Sequence, residues 1–203
     1  MNTSNPTLAS HLWPATSGLW LRAVILAILG SVVVAASAQF SIPMVPVPMT
    51  LQTLAVLAIG GIYGSRLGAA TLALYALEGT VGLPVFANFQ AGLFLPTGEI
   101  IATGGYILGF IAAAGLVGYL AERGWDRNAL KMFMAMLLGA VVVYVPGLIW
   151  LATWLVELKA MAWSAAIPVS LTSGALPFIL GDIVKAALAA LAFPATWQAV
   201  TRR

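Results

Sequence analysis

The sequence predicts an all-α membrane protein of six transmembrane helices with both termini cytoplasmic. Three observations carry that expectation. The chain is 62% hydrophobic and only 7% charged over 203 residues, against about 25% charged in soluble domains, so it lacks the polar groups to cover a water-facing surface. Six apolar segments are separated by loops that hold most of the charge. With the N terminus inside, seven of the nine Lys and Arg residues (Arg22, Arg66, Arg123, Arg127, Lys131, Arg202 and Arg203) fall on the inner side. Lys159 alone is then outside and Lys185 is intramembrane, the bias expected of cytoplasmic loops. Trp13, Trp20, Trp125 and Trp197 gather at the same inner interface, as an aromatic belt does.

The elements follow in order. Residues 1–18 read as a polar, interfacial tail and 19–200 as one six-helix domain. The first helix spans 19–38, twenty residues, enough for about 30 Å at 1.5 Å each. Arg22 ahead of this apolar run and Ala36-Ser37-Ala38 behind it resemble a cleavable secretory signal, but apolar spans continue downstream, so the run is read as a membrane helix. Residues 40–49 carry Pro43, Pro46 and Pro48, which forbid a regular helix and favour an extended lid or plug. Thr50 can cap a short second helix over 51–63. A Gly64-Ser65-Arg66 turn leads to the third, 67–81, which stops at Gly82-Leu83-Pro84. A connection bearing Asn88 and Gln90 precedes the fourth helix, 99–122. A charged loop over 122–131, a fifth helix over 132–155, a long loop over 157–173 and a sixth helix over 174–200 complete the chain.

Composition also excludes functions. There is no cysteine, and the single His11 lies in the tail, so thiolate chemistry and a resident metal are not expected. No nucleotide-binding loop and no nucleophile–base set is present. The chain is therefore expected to be no enzyme, to need no cofactor and to hydrolyse no ATP. The net charge of +3 comes from scattered basic residues, which gives no case for nucleic acid.

Asp182 and Lys185 stand out in an otherwise apolar run, 178–193 (FILGDIVKAALAALAF). Ionisable groups at that depth cost at least about 2.5–3.5 kcal/mol each, and a spacing of three puts both on one helix face. Two readings stay open: a small-molecule site offering both acceptors and donors, or an ion pair that only locks the bundle. By depth, Asn88, Gln52, Glu78 and Tyr106 converge on the same outer half of the membrane, and a mostly apolar cavity with a few placed polar groups is what a ligand site looks like. Each also has a plainer role, as turn residue, helix cap, interfacial charge or packing tyrosine. Small residues recur every fourth position: Gly60, Gly64, Gly68; Gly105, Gly109, Ala113; and Ala23, Ala27, Ser31, Ala35. Such stripes let helices approach closely, either inside one bundle or against another membrane protein; the last is the better docking candidate.

Four runs, 47–57 (VPMTLQTLAVL), 79–87 (GTVGLPVFA), 103–110 (TGGYILGF) and 181–185 (GDIVK), together resemble the BioY family, the biotin-specific substrate-capture subunits (S components) of energy-coupling-factor transporters. The resemblance covers most of the chain. One departure is that Pro96-Thr97-Gly98 and Thr103-Gly104-Gly105-Tyr106, adjoining in the family, are separated here. The resemblance implies an S-component bundle in the cell (inner or plasma) membrane of a prokaryote and an outward-opening biotin pocket. It puts Asp182, Lys185 and Asn88 at the biotin head group, with Phe86 and Phe89 as apolar walls and the proline loop as the closure. It also implies partners: a transmembrane coupling (T) subunit met by the alanine face of the first helix, and two ATPases. The alternative function is a stand-alone ion-coupled carrier of biotin or another small molecule, with Asp182 or Glu78 binding the proton.

Overall fold

A computed structural model describes residues 5–14, 18–93 and 100–201. A short helix α1 (Leu8–Leu12) lies at one end of a helical bundle. It is followed by α2 (Leu19–Gln39), a two-stranded antiparallel hairpin of β1 (Ser41–Ile42) and β2 (Met49–Thr50), α3 (Gln52–Tyr63) and α4 (Ser65–Thr80). Then come α5 (Gly104–Glu122), α6 (Ala129–Lys159), α7 (Trp163–Gly174) and α8 (Leu176–Thr201). The hairpin pairs Ser41 with Thr50 and Ile42 with Met49, and a cis Val45–Pro46 bond lies in the bend between its strands.

Helix α5 is the hub. It packs on α3, α4 and α6, and its glycines make that possible. A Cβ at Gly105 would sit 2.3 Å from the Pro146 carbonyl oxygen, and one at Gly109 would sit 2.9 Å from that of Val143. On the other side of α5, a Cβ at Gly118 would fall 2.3 Å from the Gly64 backbone, and one at Gly60 of α3 would fall 2.5 Å from the Ala114 carbonyl oxygen. Both glycine stripes are thus consumed by contacts within the bundle. Gly64, at φ +85°, also turns the chain from α3 into α4.

Four helical stretches are long and apolar enough to cross a membrane by length and composition: α2, α5, α6, and α7 with α8 taken together. At 12 and 16 residues, α3 and α4 reach about 18 and 24 Å, short of the roughly 30 Å apolar layer. Two sequence expectations need correction. The stretch 157–173, read as a loop, is largely α7. The α7 part, unlike Glu157 and Lys159 before it, carries no charge, and its hydroxyls turn back onto helix carbonyls, with Ser173 donating to Val169 O (2.6 Å) and Thr172 to Pro168 O (3.0 Å). That leaves no polar group demanding a loop. The fourth helix starts at Gly104, because 101–103 form a turn; Glu99 lies outside the described residues. Tyr106 therefore stands in the first turn of α5 rather than two turns in.

Backbone and side-chain contacts define the two ends. At one end Asn5 N–H donates to Glu122 O (2.8 Å), Ser65 donates to the Glu122 carboxylate (2.9 Å), and Trp197 donates to Asp126 (2.5 Å). The hairpin, the connection after α4 and the start of α5 occupy the other.

Candidate functional site

The hairpin end encloses a cavity of about 600 Å³, counted to its open mouth, between α3, α5, α6, α8 and the hairpin. Its wall is mostly apolar: Phe86, Ile107, Phe110, Val143 and Phe178. Phe86 fits there because residue 79 is glycine; a Cβ at Gly79 would lie 2.0 Å from the Phe86 ring. Asp182 and Lys185 line one side, 7% and 12% exposed and 3.1 Å apart.

Lys185 is fully engaged and Asp182 nearly so. Lys185 donates to Asp182 Oδ1 (3.1 Å), Thr53 Oγ1 (2.7 Å) and the Thr50 carbonyl (2.9 Å), which uses all three of its protons. Asp182 also accepts from Thr53 Oγ1 (3.1 Å) at Oδ1 and from the Tyr144 hydroxyl at Oδ2. A carboxylate has about four lone-pair sites, so it retains capacity for one further donor. The two charges cancel, and a neutral head group with both donors and acceptors suits the place better than an ion.

Among the expected site residues, Asp182, Lys185, Tyr106, Gln52 and Phe86 do meet around this cavity. Two of them are committed elsewhere through their polar atoms. Tyr106 donates to Gly174 O (2.8 Å) at the α7–α8 break. Gln52 donates to the Tyr75 hydroxyl (2.7 Å), which donates to Val85 O (3.0 Å) and so fixes the Phe86 segment. The other three are displaced. Glu78 accepts from Ser31 Oγ (3.0 Å), because α4 turns it toward α2. Asn88, at φ 58°, is exposed beside the hairpin, where its amide oxygen accepts from Ser41 (3.4 Å); it borders a separate hollow with Pro46, Pro48 and Trp154. Phe89, at φ 55°, is 69% exposed, and its N–H donates to the Gln39 side chain (3.2 Å).

One member of the expected docking stripe, Ser31, is used inside the bundle. Ser31 is buried and bonded to Glu78, and Ala35 packs against the core. The neighbouring Gly30 would place a Cβ 2.6 Å from Thr71. Part of this face of α2 is therefore its seat on α4, while Ala23, Ala27 and Ala35 stay partly open.

Comparison with known proteins gives three concordant results. The model of the BioY family matches residues 5–202. The chain belongs to the BioY family. It is 37% identical over 154 residues to the probable biotin transporter BioY of Pyrococcus horikoshii, covering 76% of this chain and 83% of that one. It is 32% identical over 172 residues to the biotin transporter BioY of Thermotoga maritima, covering 84% and 93%. In fold it is similar to a crystal structure of the S component for biotin from an ECF-type ABC transporter, with a TM-score of 0.68 over 88% of this chain and 92% of that one, at 21% identity.

In this BioY-family chain the groups that sequence reasoning missed are Thr53 and Tyr144. Thr53 bridges Lys185 and Asp182 from α3, and Tyr144 reaches Asp182 from α6. Each was detectable only as a lone hydroxyl in an apolar helix, a pattern shared by many packing residues.

Proposed function

We propose that the chain captures biotin in the cavity beside Asp182 and Lys185, as the substrate-binding subunit of an ATP-driven vitamin importer. In this reading it sits in the cell membrane of a prokaryote with six spans. Both termini are cytoplasmic and the hairpin end faces outward. A coupling subunit and two ATPases supply the energy. The observation that carries the proposal is the acid–amine pair at the wall of an apolar cavity, in a family whose relatives are named biotin transporters.

The chemistry agrees with it. The ureido ring presents two N–H donors and one carbonyl. Asp182 accepts from an N–H, and Lys185 donates to the carbonyl by giving up one present partner. The thiophane ring and valeryl chain lie along Phe86, Phe110 and Phe178. The hairpin, tied to Lys185 through the Thr50 carbonyl, closes the mouth.

Calorimetric titration of the purified protein tests this. Biotin should bind saturably in the micromolar range or tighter. Desthiobiotin, which keeps the ureido group, should compete, and lipoate, which lacks it, should not. The absence of saturable biotin binding refutes the proposal.

A further inference from the structure

The end of the bundle away from the cavity carries a second, differently built site. A groove of about 1950 Å³, counted to its open mouth, runs between α1, α2, the α3–α4 turn and the end of α5. Arg22, Arg66 and Arg123 line it, against a single carboxylate, Glu122. That carboxylate is already held by the Ser65 N–H (2.8 Å) and hydroxyl (2.9 Å). Among the described residues the sole ion pair is Asp182–Lys185 at the opposite end, so none of the three guanidinium groups has an acidic partner there. Arg22 spends one donor on Ala9 O (2.8 Å), while its buried Nε has no hydrogen-bond partner among the described residues. A buried donor without an acceptor is costly.

We propose that this groove binds the phosphate headgroup of an anionic glycerophospholipid. Guanidinium groups match phosphate oxygens with paired donors, and basic pockets between membrane helices are suited to acidic headgroups. The surroundings select a lipid over a free anion. Leu19, 70% exposed, lines the groove, and Trp20 and Leu21 beside it are 78% and 60% exposed. They offer an apolar track for acyl chains and an interfacial indole. The site needs only that the chain be membrane-embedded, and it is independent of what the cavity binds.

Native mass spectrometry of the full chain, released from detergent with phosphatidylglycerol or phosphatidylcholine, tests the proposal. Phosphatidylglycerol should be retained at least tenfold more than phosphatidylcholine. Arg66→Gln/Arg123→Gln, both exposed and so harmless to folding, should lower that retention at least threefold, and adding Arg22→Gln should lower it further. Biotin titration of the double variant should match the unaltered protein, which separates failure of this site from failure of the cavity. Equal retention of the two lipids overturns the proposal, as does full retention by the double variant. Loss of the lipid to millimolar inorganic phosphate assigns the groove to a free anion and also overturns it.

Discussion

Replacing Asp182 with asparagine keeps the shape of the side chain and removes its charge. Two effects follow, and the structure separates them. The carboxylate accepts from Lys185, Thr53 and Tyr144. In the variant Lys185 keeps only neutral acceptors, the Thr50 carbonyl, the Thr53 hydroxyl and the new amide oxygen, so an uncompensated ammonium remains at a site 12% exposed. Breaking a buried pair from one side costs about 3–5 kcal/mol, which lowers the melting temperature. Loss of one charge-assisted hydrogen bond to a ureido N–H costs about 1.5–3 kcal/mol, or about 10- to 150-fold in Kd. The double variant Asp182→Asn/Lys185→Met removes both charges. Its thermal stability should return to near that of the unaltered protein, while biotin affinity stays reduced. Calorimetry with biotin and a thermal melt in the same detergent read the two effects apart. A double variant that binds biotin within threefold of the unaltered protein would show that the pair serves the bundle alone, and would refute the reasoning.

Three further outcomes are expected. Gly105→Ala should markedly lower the melting temperature, because the new Cβ meets the Pro146 carbonyl oxygen at 2.3 Å. Gly115→Ala, whose nearest contact is 3.7 Å away, should raise stability by about 1 kcal/mol through helix propensity; melts of the two variants side by side check this. Tyr75→Phe strands the Gln52 amide and the Val85 carbonyl and should cost about 1–3 kcal/mol of stability with weaker biotin binding, read by melt and titration. Burial raises the Asp126 carboxyl above its ordinary value of 3.8, offset in part by the Trp197 hydrogen bond and the Arg127 charge. A carboxyl whose folded pKa is raised stabilises fully below its unfolded pKa, and that stability is lost as pH rises through the folded value. Melting temperature should therefore fall as pH climbs from about 4, and Asp126→Asn should flatten that fall. A variant with the same pH profile as the unaltered protein refutes the assignment.

Much of this was readable in the chain because charge is conspicuous in an apolar helix. Asp182 and Lys185, three apart, had to share a face, and the structure adds only what they touch. The glycine spacing likewise announced close helix contacts, and α5 shows where they fall. What the sequence could not carry was rotation about each helix axis. Depth placed Glu78 level with the cavity, but α4 turns it to Ser31 of α2. The same rotational freedom hid Thr53 and Tyr144, whose hydroxyls acquire meaning only once α3 and α6 are set around α5. Asn88 and Phe89 sit in left-handed backbone, which carries their side chains away from the cavity that Phe86, three residues or fewer before them, helps to wall. Segment 157–173 holds a helix rather than a loop over most of its length because its hydroxyls bond back to their own helix carbonyls.

The contact between Lys185 and the Thr50 carbonyl tethers the hairpin to α8. An ammonium has three protons and all three are engaged here, so any acceptor that reached Lys185 would have to displace one of these partners. A guest that displaces Thr53 Oγ1 or Asp182 from the ammonium leaves its tie to β2 intact and the hairpin closed, whereas one that displaces the Thr50 carbonyl releases the hairpin. Departure reverses the trade, and at no stage does a bare cation stand in the apolar interior.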